Sequence, residues 1–208
     1  MLTRIVVLVS GGGTNLQALL DAQSQNALGG GQIVGVVSSK ENAYALERAQ
    51  KAGVPGHVIP KKDYPDHCAY SLALLDKCQE LKAQLIILAG FMHILTPEFV
   101  DAYPNAILNV HPALIPSFCG EGFYGLHVHE RALEYGVKVT GATVHFVTAE
   151  PDGGPIILQK AVPIQEGDTP EVLQRRVMEQ AEWNILPQAA ALFCQGRLKV
   201  EGRQVHIL

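Results

Sequence analysis

Arg4-Ile5-Val6-Val7-Leu8-Val9-Ser10-Gly11-Gly12-Gly13-Thr14-Asn15-Leu16-Gln17 is the stretch that decides the fold. Arg4 to Val9 is an unbroken, β-branched run, the pattern of a parallel strand buried on both faces. The glycines then force a turn, and Leu16, Leu19 and Leu20 recur at helical spacing. Thr14 and Gln17 have the capping-box spacing, which predicts a helix starting where the glycines end. A strand, a glycine turn and a helix N-terminus together present backbone N–H groups and a positive dipole end, which suits a phosphate. A plain tight turn between strand and helix is the alternative. No Gly-Lys-Ser/Thr follows, so this is not a Walker A loop. Leu16 stands where the dinucleotide fingerprint wants Gly or Ala.

Outward from this unit, strands alternate with helical patterns. Ile33 to Ser38 is a second strand, ending in Ser39 and Lys40 rather than the acid of an NAD site. Ser39 and Lys40 could instead accept a 2′-phosphate. Asn42 to Lys51 is helical, Gly56 to Ile59 a short strand before Pro60, and Pro65 to Leu81 a helix with Leu72, Leu75 and Cys78 on a common face. Leu85 to Ala89 is an apolar strand. It runs into Gly90-Phe91-Met92-His93-Ile94-Leu95, an apolar loop suited to wall a flat ligand. Thr96-Pro97-Glu98 then starts a helix, and Thr169-Pro170-Glu171 repeats the device. Leu126 to Tyr135 is helical, Val139 to Val147 and Ile156 to Ile164 are strands, and a long helix runs to about Phe193. Pro187 is expected to bend or interrupt that helix. Arg197 to Val200 and Gln204 to Ile207 form a small hairpin.

Ile107-Leu108-Asn109-Val110-His111-Pro112 ends another strand, since Pro112 cannot continue a central one. Asn109 and His111, two apart, point to one face at the mouth of a loop stiffened by Pro116. Ligands of open α/β sheets bind at such strand ends. The alternative is a packed core histidine with a capping asparagine. Ser117 to Gly125 follows as a glycine and aromatic loop.

Composition narrows the classes. The 208 residues suit one domain, and 48% hydrophobic with 17% charged residues gives ample core. Net charge is -4 with no basic run, which argues against nucleic acid. No span reaches membrane length, and Ile5 to Val9 is too short for a signal-peptide core. Cys68, Cys78, Cys119 and Cys194 form no Cys-x-x-Cys pair and are expected as free thiols in a reducing compartment, the cytoplasm. Cys119 has no base beside it in sequence and reads as a small filler rather than a nucleophile. His127 and His129 lack a third ligand, so no metal is expected.

Asn109, His111 and Asp152 are the polar groups from which chemistry can be built. Histidine is the natural general acid/base near neutrality, an aspartate beside it would orient the ring and raise its pKa, and an asparagine amide can donate to an oxyanion. No Ser or Cys is visibly activated. The set suits direct acyl transfer between two bound substrates, one of them carrying phosphate.

Ser10-Gly-Gly-Gly-Thr-Asn-Leu-Gln, Leu88-Ala-Gly-Phe-Met-His-Ile-Leu, Leu108-Asn-Val-His-Pro-Ala-Leu-Ile-Pro, Gly141-Ala-Thr-Val-His-Phe-Val and Asp152-Gly-Gly-Pro-Ile-Ile-Leu-Gln stand in an order that resembles the folate-dependent phosphoribosylglycinamide formyltransferases. The resemblance runs from Ile5 to about Phe193. It implies transfer of a formyl group from 10-formyltetrahydrofolate, as co-substrate, to the amine of glycinamide ribonucleotide in purine biosynthesis, without a metal. By that likeness Asn109, His111 and Asp152 are the catalytic trio. Gly13, Thr14 and Asn15 match the ribonucleotide phosphate loop, and Glu182 the acid near the acceptor. Met92, His93, Ile94 and Leu95, together with Asn109 and Thr148, Ala149, Glu150, Pro151 and Asp152, match the folate site. His93 stands where members often carry Arg, and Trp183 where they often carry His. The folate-tail contact and the register around Glu182 are therefore left to the structure.

The expected fold is a single doubly wound, Rossmann-like α/β domain over 1–208, with a mostly parallel sheet of about seven strands. Residues 1–90 would form the ribonucleotide phosphate-binding half, 91–195 the folate and catalytic half, and 196–208 the terminal hairpin. Partners would be small molecules only, with neither nucleic acid nor membrane, in a monomer or homodimer. A methionyl-tRNA formyltransferase would be expected to carry a further C-terminal domain, and a formyltetrahydrofolate hydrolase an N-terminal one. An NADP-dependent oxidoreductase or a non-catalytic nucleotide-binding module is the alternative from another class, and the absent third glycine counts against both.

Overall fold

The apolar run after Leu2 forms strand β1 (Thr3–Val9), which lies in the interior of a seven-stranded sheet. The coordinates are a computed structural model describing residues 2–208. Met1, counted in the expected 1–208 domain, lies outside the described residues. β1 is flanked by β2 (Gly31–Ser38) and β4 (Leu85–Leu88), with β3 (Gly56–Val58) beyond β2 and β5 (Ile107–His111) beyond β4. These five strands are parallel, and β6 (Val139–Phe146) and β7 (Ile156–Pro163) continue the sheet antiparallel. The order is β3-β2-β1-β4-β5-β6-β7. The chain winds one way from β1 to β3 and the other way from β4, so the switch point lies between β1 and β4. A doubly wound sheet opens its ligand crevice there, at the carboxyl ends of the strands.

Alternation along β1 divides the core. Ile5, Val7 and Val9 pack against α1 (Thr14–Ser24), α2 (Tyr44–Lys51), α6 (Pro170–Val177) and α7 (Trp183–Cys194). Val6 and Leu8 pack on the other face against α3 (His67–Glu80) and α4 (Pro97–Ala102). α5 (Leu126–Tyr135) joins β5 to β6, and β8 (Leu198–Glu201) pairs with β9 (Gln204–Ile207) as a separate hairpin.

Several local expectations are corrected. The N-cap of α1 is Gly13, not Thr14, and it is left-handed at φ 71°. Thr14 Oγ1 donates instead to Met178 Sδ at 3.7 Å, so tertiary packing replaces the capping box. Leu72 is 49% exposed, while Tyr70, Leu74, Leu75 and Cys78 carry the buried face of α3. Pro187 stays inside α7. The interruption of the long helix lies earlier, as a π turn at Met178–Glu182 between α6 and α7. π turns recur at functional sites because they re-aim side chains. This one ends on Glu182.

Candidate active site

A cavity of about 850 Å³ opens at the carboxyl ends of β1, β4 and β5. Its walls come from the glycine loop after β1, the apolar loop after β4, the end of β5, the 117–125 loop, the turn after β6 and the π turn. Gly13, Thr14, Asn15, Met92, His93, Ile94, Leu95, Asn109, His111 and Glu182 all line it. Thr148, Glu150, Pro151 and Asp152 line it too, and Ala149 does not.

The glycine loop is turned so that its carbonyls face away from the cavity. Ala45 N–H donates to Gly11 O at 3.2 Å, and Arg48 Nε donates to Gly12 O at 2.8 Å. In a trans peptide the N–H points opposite to the C=O. The N–H groups of Gly12 and Gly13 are therefore directed away from α2, beside the free first-turn N–H groups of α1. A Cβ at Gly13 would lie 2.6 Å from Ala45 Cβ, so this close approach, with its positive φ, requires glycine. The Asn15 side chain does not point along the loop. Its Nδ2 donates to Glu182 Oε2 at 2.6 Å. Glu182 is 6% exposed, and burial pushes its carboxyl up to about 7, against the opposing effect of the Asn15 bond.

On the other wall, Met92 and Ile94 are exposed, whereas Leu95 is buried. Met92 N–H is already given to Ser10 Oγ at 3.0 Å, which ties the apolar loop to the end of β1. His93 rests edge-on against Tyr70 at 5.2 Å and Phe91 at 5.5 Å. Burial, then the neighbouring Lys61, His67 and Lys40, hold its pKa below the usual imidazole value. His93 thus presents an aromatic, neutral surface near neutral pH.

β5 and β6 bring the polar centre together. Antiparallel register sets Asn109 opposite His145 and His111 opposite Thr143. Asn109 Nδ2 is 3.2 Å from His145 Nε2 and donates to Asp152 Oδ1 at 3.4 Å. The reverse amide orientation would set two acceptor oxygens face to face. His145 Nδ1 is 2.9 Å from Phe146 O, so it carries a proton, and Nε2 faces both the Asn109 amide and Asp152 Oδ1, 3.5 Å away. His111 Nδ1 lies 3.4 Å from Asp152 Oδ2. Asp152 arrives from the turn after β6 in a left-handed conformation, φ 53°. The turn is held close because Gly154 packs directly on the Phe146 carbonyl, where a Cβ would fall 1.7 Å from the oxygen.

Burial raises the Asp152 carboxyl, but the His145 hydrogen bond, the His111 charge and the Gly120 N–H outweigh it and hold the pKa below the usual value. For His111 the balance is the reverse. Burial lowers its pKa more than Asp152 and the Phe118 carbonyl raise it. Asp152 acts in the expected direction, but at 4% exposure the loss of water outweighs it.

Residues 3–190 match the formyl transferase family. The phosphoribosylglycinamide formyltransferase of Escherichia coli strain K12 is 42% identical over 196 residues, covering 94% of this chain and 89% of that protein. The chain belongs to the phosphoribosylglycinamide formyltransferase family. The crystal structure of glycinamide ribonucleotide transformylase 1 from Symbiobacterium toebii superposes with a TM-score of 0.94 at 47% identity, over 100% of this chain and 94% of that one. The trifunctional purine biosynthetic protein adenosine-3 of Homo sapiens is 42% identical over 197 residues, 95% of this chain but 19% of that protein.

His145 is the polar neighbour to which the sequence assigns no role. Its place on the same strand face as Thr143 was visible, but its meeting with Asn109 depends on the β5–β6 register. His127 and His129 diverge: His127 Nδ1 lies 3.1 Å from Glu130 Oε2 on the surface, and His129 is fully buried. Cys119 donates to Pro116 O at 3.3 Å, and burial with Asp152 and Glu150 pushes its thiol up, away from a nucleophile.

Proposed function

We propose that the protein transfers the formyl group of 10-formyltetrahydrofolate to the amine of glycinamide ribonucleotide, in cytoplasmic purine biosynthesis. The observation that carries this reading is the single cavity shared by an outward-facing N–H loop, an exposed apolar loop and the Asn109, His111 and Asp152 group. The N–H groups at Gly13, Thr14 and Asn15 bind the ribonucleotide phosphate. Glu182, oriented by Asn15, faces the acceptor. Met92 to Leu95 and the 148–152 turn bind the folate ring, with no metal. Ala149, which lies outside the cavity lining, belongs to this site as part of the 148–152 turn.

The acceptor nitrogen attacks the formyl carbon, and the carbonyl oxygen becomes an oxyanion. The Asn109 amide, whose present bonds are long, exchanges them for a charge-assisted bond to that oxygen. His111 takes the proton that the attacking nitrogen loses and returns it to N10 of the folate as the bond to carbon breaks. Asp152, ionised, supports the imidazolium between these steps. The products are the N-formyl acceptor and tetrahydrofolate, and His111 ends as it began.

Residues 1–90 supply the phosphate loop, 91–195 the folate and catalytic groups, and 196–208 the hairpin. Glu182 crosses that division to reach Asn15. Substrates are the partners, for a chain acting as a monomer or homodimer. Among the described residues no helix is long and apolar enough to cross a membrane. The test is a formyl-transfer assay with glycinamide ribonucleotide, run beside a control with water as the sole acceptor. Release of tetrahydrofolate that is independent of the ribonucleotide would sink the proposal.

A further inference from the structure

The 117–125 loop between β5 and α5 closes its main chain on both His111 and Asp152. Phe118 O lies 2.8 Å from His111 Nε2, and Gly120 N–H donates to Asp152 Oδ2 at 2.9 Å. Phe118 reaches this position at φ 49°, a left-handed conformation that is strained for a residue with a Cβ. Strain of this kind persists where the surroundings enforce it. Here the phenyl ring supplies the enforcement. It packs edge-on against Tyr135 of α5 at 5.9 Å and tilted against Phe123 at 6.3 Å.

His111 therefore stands between two acceptors, the Phe118 carbonyl at Nε2 and the Asp152 carboxylate at Nδ1. A carbonyl oxygen cannot donate, so at 2.8 Å Nε2 must carry the hydrogen. The neutral ring then keeps its lone pair on Nδ1, the nitrogen beside Asp152. We infer that Phe118 is a positioning residue for formyl transfer: its main-chain carbonyl holds the Nε2 hydrogen throughout, so the travelling proton is carried on His111 Nδ1. This rests on the reading of His111 as the proton carrier. Nδ1 accepts the proton of the attacking nitrogen as the new N–C bond forms. The imidazolium is held by carbonyl and carboxylate together. Nδ1 then gives the proton to N10 as the old N–C bond breaks, and no redox partner is needed.

The titratable groups facing the ring are Asp152 from the turn after β6, His145 from β6 and His129 from α5. Asp152 and the Phe118 carbonyl favour the imidazolium, while burial and His145 oppose it. Loss of the carbonyl should therefore lower the His111 pKa.

The test combines Phe118→Ala, Phe118→Tyr and Tyr135→Ala with His111→Ala as reference. Tyr135 is 80% exposed, so its replacement leaves the core intact, and an unfolding midpoint checks each variant. The readouts are the His111 tautomer from imidazole 15N shifts, the pH profile of kcat, and both KM values. The wild-type neutral ring should be the Nε2–H form. Phe118→Ala and Tyr135→Ala should mix the tautomers, move the acidic limb of kcat to lower pH and lower kcat by about tenfold, part of the ~10²–10⁴ typical of acid–base catalysis, with KM little changed. Phe118→Tyr, which keeps the ring, should recover most of that loss. A wild-type Nδ1–H form, or mixed tautomers with unaltered kcat and acidic limb, would overturn the inference while His111→Ala stays inactive. An active His111→Ala would instead remove the proton-carrier reading, and this inference with it.

Discussion

Asn15 Nδ2 donates to Glu182 Oε2 across 2.6 Å, joining the first turn of α1 to the π turn 167 positions later. Among the described residues no cation shares this buried carboxyl, so burial governs its proton, and its pKa rises from 4.5 to about 7. Between those values the folded chain keeps a proton that the unfolded chain has released. Stability therefore falls as pH rises from about 4.5 to about 7 and is level above, a change on the order of 3 kcal/mol. Glu182→Gln should abolish this slope, matching the wild-type unfolding midpoint near pH 4.5 and exceeding it at pH 8. The same variant should raise KM for the ribonucleotide and leave that for the folate. Parallel midpoint curves would refute the buried-acid account.

His129 gives the opposite slope. It is fully buried, neither ring nitrogen has a partner among the described residues, and burial followed by the His111 charge lowers its pKa to about 4. The unfolded ring takes up a proton below its ordinary value while the folded ring does not. Stability is complete above about pH 6.5 and is lost as pH falls toward 4, again on the order of 3 kcal/mol. His129→Leu should shallow the acid side of the midpoint curve. An equally steep acid loss in that variant would show that other groups drive it.

The glycine loop separates a binding effect from a folding effect. A Cβ at Gly12 meets nothing within 4 Å, whereas one at Gly13 meets Ala45 at φ 71°. Gly12→Val should keep the unfolding midpoint and raise KM for the ribonucleotide more than for the folate. Gly13→Val should destabilise by more than ~1 kcal/mol. Equal changes in the two KM values for Gly12→Val would place the phosphate elsewhere.

For the folate wall, hydrogen exchange is the direct measurement. Met92 N–H is already bonded to Ser10, so a folate analogue should add protection at Ile94, Leu95 and Ala149 rather than at Met92. It should do so in the presence of a chelator. New protection confined to Gly11 through Thr14 would mean that the folate has been assigned the wrong wall.

The His111 and Asp152 pair should behave as one unit. His111→Ala should lower kcat by roughly 10²–10⁴-fold with small changes in both KM values. Asp152→Asn removes a charge that favours the imidazolium, so the acidic limb of kcat/KM should move to lower pH. The double variant should cost little more than the worse single change, and fully additive losses would show that the two side chains act independently.

Local periodicity made much of this chain legible. The β-branched run to Val9, the glycines and the leucines of α1 specify a strand, a turn and a helix by contacts within a few residues, and the sheet formed as expected. Pro112 ends β5 where Asn109 and His111 share a face, because proline's missing N–H is a local property. Contacts across the fold were not legible. The capping box at Thr14 yielded to Met178, the break expected at Pro187 lies in the π turn, and Leu72 faces solvent.

The amino-acid sequence by itself determined the alternation of strands and helices, and which side chains stand at the strand ends. Only the tertiary structure decided that His145 meets Asn109, that the Phe118 carbonyl meets His111 and that Asn15 orients Glu182. It also decided that His111 titrates low and Glu182 high. Strand register and loop closure join residues far apart in the chain, and the water excluded from a packed site sets the charge its groups can carry.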